Sequence, residues 1–275
     1  MRIGLVGLGR MGAAMAGRLA ATGAEVAGFD LDPTRGGIPR LEQAAAPVVI
    51  LSLPEEKAVA VVLDALLPVL PPAAVIADTS TISPLAARGF AGRVAEAGHA
   101  YLDAPVSGGP AGAAAGTLTV MLGGEAAALE RARPALERVA ARILHVGGPG
   151  AGQVAKLVNN LLVATHLVVA AEALRLGALA GVTPEALLPV INAASGRSAA
   201  TEVNLPRWVL SGAFDSGFTA GLMRKDVRLA LELARAVGAD PPACARAAAV
   251  WEQAPVDDAE DFNRMVAAIM EGTQA

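Results

Sequence analysis

The first 150 residues alternate short apolar runs with longer helical stretches. Ile3-Gly4-Leu5-Val6 reads as a strand, runs into Gly7-Leu8-Gly9-Arg10-Met11-Gly12, and continues as a helical pattern to about Thr22. Gly23 stops that helix, and residues 24–29 form a second apolar run closed by Asp30. Strand, glycine turn, helix and strand within about 30 residues have the size of one βαβ unit. Further strands are predicted at 47–52, 74–77, 100–103, 118–122 and 143–146. Helices are predicted at about 55–67 and 84–97 and between the last two strands. Parallel units of this kind cross over right-handed and stack into a doubly wound α/β sheet with helices on both faces.

After Gly147-Gly148-Pro149-Gly150-Ala151-Gly152 the rhythm changes. Helical stretches fill 153–181, 184–194, 199–211, 219–238, 241–253 and 258–271, and no strand is predicted. This places a boundary near residue 150. Residues 1–151 are expected to form a Rossmann-type doubly wound domain, and residues 152–275 an all-α domain. The long helix would span roughly 40 Å at 1.5 Å per residue. Its apolar stretch, 157–182, carries Asn159, Asn160, His166, Glu172 and Arg175. Charges at the centre of a spanning helix are costly, so a helix buried inside protein is expected.

Composition narrows the classes. The chain has 275 residues, 54% apolar and 17% charged, which excludes a disordered chain. A net charge of −4 argues against a broad nucleic-acid surface. The N-terminus lacks the pattern of a signal peptide. One cysteine, Cys244, excludes an internal disulfide and points to a reducing, cytoplasmic compartment. Cys244 is expected to be a buried apolar filler, and Trp208 and Trp251 packing residues. His99, His145 and His166 lack metal-ligand spacing, so no metal site is expected. The alanine-rich, weakly charged second half suggests a homodimer or homotetramer.

Gly7, Gly9 and Gly12 give GxGxxG between a strand and a helix. The glycines permit the tight turn, close approach of pyrophosphate, and helix–strand packing. The free N–H groups and dipole of the following helix would hold that anion, with Leu8, Arg10 and Met11 among the cofactor-binding residues of the loop. Asp30 lies 18 residues after Gly12, where a carboxylate can accept from ribose hydroxyls and repel a 2′-phosphate. This favours NAD. Asp32 is the competing acid, and one of the two would only cap the turn at Pro33. Arg35 and Arg40 could still reach a 2′-phosphate, which leaves NADP open.

Ser107-Gly108-Gly109 follows the strand ending Asp103-Ala104-Pro105 and lies at the carboxyl end of the sheet, where such folds bind ligands. Its amides can hold a carboxylate. Lys156 and Asn160 stand i, i+4 on the long helix and share a face. A partly desolvated ammonium can transfer a proton, and an amide can hydrogen-bond a reacting oxygen.

Five segments in order then carry a resemblance: GLVGLGRMGAAMAGRLAATG (4–23), DTSTISP (78–84), DAPVSGGPAGAAAGTLTVMLGG (103–124), GAGQVAKLVNN (150–160) and KDVRLALELA (225–234). The chain resembles the β-hydroxyacid dehydrogenases, the family of 3-hydroxyisobutyrate dehydrogenase and tartronate semialdehyde reductase. The resemblance implies hydride transfer between NAD or NADP and a small 3-hydroxy acid or semialdehyde. It makes Lys156 the catalytic lysine, and Ser107, Gly108, Gly109 and Asn160 substrate contacts. It makes Leu53, Pro54, Thr81 and Lys225 cofactor contacts, with Asp226 beside Lys225. The stretch 192–202 looks most like the hydroxyisobutyrate branch, although Ala199 stands where many relatives carry Trp. Only 17 residues separate Asp30 from Val48, so a helix present in many relatives is expected to be missing. Reduction of glyoxylate, succinic semialdehyde or tartronate semialdehyde with NADPH is the alternative activity.

Overall fold

The computed structural model describes residues 1–272, and the chain folds as two compact units, Met1–Lys156 and Leu157–Ala275. In the first unit, β1 (Arg2–Val6), α1 (Arg10–Ala21) and β2 (Glu25–Phe29) build the expected βαβ unit. Between β2 and β3 (Val48–Leu51) lie only two 3-10 turns, Pro33–Arg35 and Leu41–Ala44, and no α-helix, as the short spacing predicts. The unit continues with α2 (Glu56–Leu66), β4 (Val75–Asp78), α3 (Pro84–Glu96) and β5 (Ala100–Asp103). Then come β6 (Val106–Ser107), α4 (Gly109–Ala115), β7 (Leu118–Gly123), α5 (Ala126–Leu136) and β8 (Ala140–Gly147).

The sheet order is β2-β1-β3-β4-β5-β7-β6, with β8 also paired to β7. Strands β2 to β5 pair in parallel, as expected. The sheet then reverses: β7 runs antiparallel to β5 and β6, and β8 parallel to β7. Alternate residues of a strand face opposite sides. Val48 and Ile50 therefore join a core with Met15, Leu19, Leu129 and Ala132. Val49 and Leu51 join another with Val59, Leu63, Ala87 and Val94. Both faces are covered, which is why the central strands read as unbroken apolar runs.

The second unit is helical. The long helix α6 (Ala151–Leu179) begins in the first unit and belongs mostly to the second. It is followed by α7 (Pro184–Ala193), a π-helix (Ala200–Val209), α8 (Ala220–Ala236), α9 (Pro242–Gln253) and α10 (Arg264–Glu271). Thr183 and Thr219 cap α7 and α8 with their side-chain oxygens. Leu167, Leu174, Met223, Trp251, Phe262 and Met265 form the core. The Trp251 indole also donates to the Ala164 carbonyl at 3.1 Å.

Three expectations need correction here. α6 is long and apolar enough to cross a membrane by length and composition alone, and 44% of its most apolar stretch is buried. It is not buried all round: Val158, Leu162, Val169, Leu176 and Leu179 are exposed on one side. Cys244 is half-buried rather than buried. The helix expected at 199–211 is a π-helix, with the Leu210 amide donating to Leu205, five residues back. Pro206 has no N–H to give to Thr201, and the Asn192 side chain takes that carbonyl instead at 3.0 Å.

Candidate active site

The glycine loop between β1 and α1 is built by close approach. Gly7 has φ +93°, and a Cβ there would lie 2.2 Å from the Ser52 carbonyl oxygen. A Cβ on Gly12 would lie 1.7 Å from the Gly7 carbonyl oxygen. Neither position tolerates a side chain. Gly9 caps α1, and a Cβ on it would meet nothing nearer than Arg35 Nη1 at 3.4 Å. The loop is therefore closed on its inner side and open on its outer side. The first amides of α1, from Arg10 and Met11 onward, have no intrahelical acceptor and suit an anion. This cradle fits the pyrophosphate of a nicotinamide dinucleotide.

Asp30 stands at the end of β2 with its side chain 9% exposed. Its Oδ2 accepts from the Leu8 amide at 2.6 Å and its Oδ1 from the Asp32 amide at 2.9 Å. Arg35 Nη1 also reaches Oδ2, at 3.2 Å. The two competing acids are thereby separated. Asp32 is the turn cap, accepting from the amide and hydroxyl of Thr34, and those bonds hold its pKa below the ordinary value. Arg40 precedes the second 3-10 turn, and no acidic partner joins it among the described ion pairs.

A second pair of loops is tied together by hydroxyl groups. The Leu53 amide, just before Pro54, donates to Ser80 Oγ at 2.9 Å, and Thr79 Oγ1 donates to the Leu51 carbonyl at 2.6 Å. Thr81 lies in the same 80–82 loop. Beneath it, Asp78 is fully buried and accepts from Tyr101 Oη at 2.6 Å and from the Ser80 amide at 2.9 Å. Burial pushes the Asp78 carboxyl up to about 6, against the lowering effect of those hydrogen bonds. Burial likewise lifts the Tyr101 hydroxyl well above its usual value, with the Asp78 charge adding to the effect.

Ser107 ends β6, paired with Thr119 of β7. Gly108 and Gly109 follow with φ +127° and +64°, a backbone that favours glycine. They turn the chain directly into α4. The sequence pattern predicts a serine-glycine turn after the strand and does not predict the two-residue strand or the seven-residue helix on either side of it.

Lys156 is 7% exposed and Asn160 5%, one turn apart on α6. Asn160 Nδ2 donates to Asp226 Oδ2 at 2.7 Å, and Asn159 Nδ2 donates to Asn160 Oδ1 at 3.0 Å. Lys225 Nζ lies 3.6 Å from Asp226 Oδ1. The structure thus gathers Asn160, Lys225 and Asp226 into one polar cluster, and Asp226 fixes which way the Asn160 amide faces. A buried lysine is rare without a partner or a task.

Residues 2–147 match the family described as the NAD-binding domain of 6-phosphogluconate dehydrogenase. Residues 150–269 match the one described as NAD-binding of NADP-dependent 3-hydroxyisobutyrate dehydrogenase. The chain belongs to the β-hydroxyacid dehydrogenases. It is therefore an NAD(P)-dependent oxidoreductase that acts on the CH–OH group of small hydroxy acids. The chain is 38% identical to 2-(hydroxymethyl)glutarate dehydrogenase of Eubacterium barkeri, over 92% of its own length and 88% of the relative's. It is 41% identical to NAD-dependent L-serine dehydrogenase of Pseudomonas aeruginosa, over 88% of each. Among solved structures it is similar to 3-hydroxyisobutyrate dehydrogenase of Mycobacterium tuberculosis with L-serine. That match has a TM-score of 0.91 and 36% identity, and covers 100% of this chain and 99% of that one.

Proposed function

We propose that this dehydrogenase oxidises the primary alcohol of a 2-substituted 3-hydroxypropanoate to the matching semialdehyde, with NAD preferred. The substrates named for its relatives share one skeleton, a CH2OH and a carboxylate on the same carbon. They differ only in the third substituent on that carbon: methyl, ammonium or carboxyethyl. The conserved part of the chemistry then falls to a fixed set of residues.

The amides of Ser107, Gly108 and Gly109 hold the carboxylate. Lys156 takes the hydroxyl proton in oxidation and returns it in reduction, while Asn160 hydrogen-bonds the same oxygen with the N–H that Asp226 leaves over. The bound nicotinamide supplies the two-electron acceptor. The loop Gly7, Leu8, Gly9, Arg10, Met11 and Gly12 receives its pyrophosphate on the amides that start α1, the Leu8 amide already donating to Asp30 and the Gly7 amide to the Phe29 carbonyl. Asp30 takes its adenosine ribose, and Leu53, Pro54, Thr81 and Lys225 line the remainder. Positioned donors stabilise the developing alkoxide without reorganising. The observation that carries this reading is Lys156, an almost fully buried ammonium one turn from Asn160.

Residues 152–275 supply substrate contacts and the oligomer interface. The exposed stripe Val158, Leu162, Val169 and Leu176 on α6 favours a second copy of this chain as its cover. The protein works in the reducing cytoplasm, in keeping with its free cysteine. Arg35, beside the glycine loop, favours some use of NADP as the second reading. Steady-state assays of 3-hydroxyisobutyrate, L-serine, 2-(hydroxymethyl)glutarate and tartronate semialdehyde with both cofactors test the proposal. Turnover of secondary alcohols only would overturn it.

A further inference from the structure

The start of α6 carries buried polar contacts that the proposed chemistry does not use. Asp103, fully buried at the end of β5, accepts from the Gly150 amide at 2.8 Å and from the Gln153 amide at 2.9 Å. It caps α6 from another strand. Two glycines make room for it. A Cβ on Gly123 would lie 2.6 Å from Asp103 Oδ1, and one on Gly152 would lie 2.6 Å from the Asp103 carbonyl oxygen.

Gln153 is itself fully buried, and its side chain reaches the loop after β4. Its Nε2 donates to the Ser80 carbonyl at 2.8 Å, and its Oε1 accepts from the Ile82 amide at 3.2 Å. The side-chain amide thus completes the backbone of the 80–82 loop as a neighbouring strand would. That loop contains Thr81, and its Ser80 hydroxyl holds the Leu53 amide. Gln153 lies three residues before Lys156, with its main chain fixed by Asp103 and its side chain by Ser80 and Ile82.

We propose that Gln153 is a positioning residue for the reaction, tying the first turn of α6, and with it Lys156, to the loops assigned to the cofactor. Asp103 assists by fixing the Gln153 main chain. The inference rests on the reading of Lys156 as the proton-transfer group. Glutamine suits the task because its donor and acceptor stand side by side. An ionised glutamate would face the Ser80 carbonyl with no hydrogen to give. A methionine matches the length and offers neither bond. Misplacing a reacting group by about 1 Å can cost 10²-fold in rate.

The test uses the full-length chain in four forms: wild type, Gln153→Met, Lys156→Ala and the double variant. Gln153→Met is expected to lower kcat about 10- to 100-fold, with KM for the hydroxy acid within a few-fold. In the Lys156→Ala background the same change should cost almost nothing more, because residues acting as a unit are not additive. Wild-type kcat in Gln153→Met, or an equal loss in both backgrounds, would overturn the proposal. Lys156→Ala that keeps its activity would instead refute the assignment of Lys156. Should Gln153→Met not fold, Gln153→Glu reads the same contact. Its kcat relative to wild type should recover as pH falls and the introduced carboxyl regains a hydrogen to donate. Full activity at pH 8 would refute the positioning role.

Discussion

The Asp30 carboxylate receives the Leu8 amide at 2.6 Å, so the acid assigned to the ribose also builds the glycine loop. Substituting it should do more than remove a ribose contact. Hydrogen bonds to charged groups contribute roughly 1.5–3 kcal/mol each. Asp30→Ala is expected to raise KM for NAD by about 10- to 100-fold and to narrow the preference over NADP. Fluorescence titration of both cofactors checks this. Equal kcat/KM for NAD and NADP in the unmutated protein would rule out the NAD preference.

Arg35 allows the two cofactors to be separated further. Its guanidinium pairs with Asp30 at 3.2 Å and with Asp32 at 3.4 Å, and is 48% exposed. Partly exposed pairs contribute about 1 kcal/mol at most. Arg35→Ala should therefore leave NAD binding within about threefold, yet weaken NADP more strongly by removing a cation beside Gly9. A larger loss for NAD than for NADP would show that Arg35 acts only by ordering Asp30.

The βαβ opening, Asp30 and the helical second half could be read from the sequence because each rests on a local pattern. GxGxxG fixes a turn, and an acid at the end of the next strand falls at a known reach. Ser107-Gly108-Gly109 shows its composition but not its structure. The two-residue β6 exists only through pairing with β7, and α4 is too alanine- and glycine-rich to announce its ends. Asp103 and Gln153 leave no local signal at all, since their partners lie 47 to 73 residues away. The one hint is the pair of glycines, Gly123 and Gly152, without which no carboxylate could enter. Alanine also hides which side of α6 is open, because it marks neither face strongly.

Asp78 gives the fold a distinct pH dependence. Burial lifts its carboxyl from 3.8 to about 6, so the folded chain binds this proton more tightly than the unfolded chain. The resulting stability is fully present below about 3.8 and is lost as pH rises through about 6. Two pH units at 1.36 kcal/mol each correspond to about 3 kcal/mol at most. Asp78→Asn removes the titration. Relative to wild type, its stability should improve by about 1–3 kcal/mol between pH 4 and pH 7.5, whatever the offset at either pH. Urea melts at the two pH values measure the change, and parallel behaviour of the two proteins would contradict it.

The proposed chemistry rests on Lys156. It sits 7% exposed on α6, while the glycine loop lies between β1 and α1, far from it in sequence. Removing the ammonium should therefore spare cofactor binding. Lys156→Ala is expected to lower kcat/KM by about 10²–10⁴, the usual worth of a positioned acid–base group. NAD affinity should stay within a few-fold. Asn160→Ala should be milder, since a neutral hydrogen bond is lost and the ammonium remains. It should still be felt in kcat, because Asp226 would lose the amide that it holds at 2.7 Å. Measuring kcat/KM beside a cofactor titration separates these roles. Retention of more than about a tenth of wild-type kcat/KM in Lys156→Ala would lie well outside the acid–base range and would assign the proton transfer to another group. Loss of both activity and cooperative unfolding would instead make the lysine structural, a buried charge whose removal the first turns of α6 do not survive.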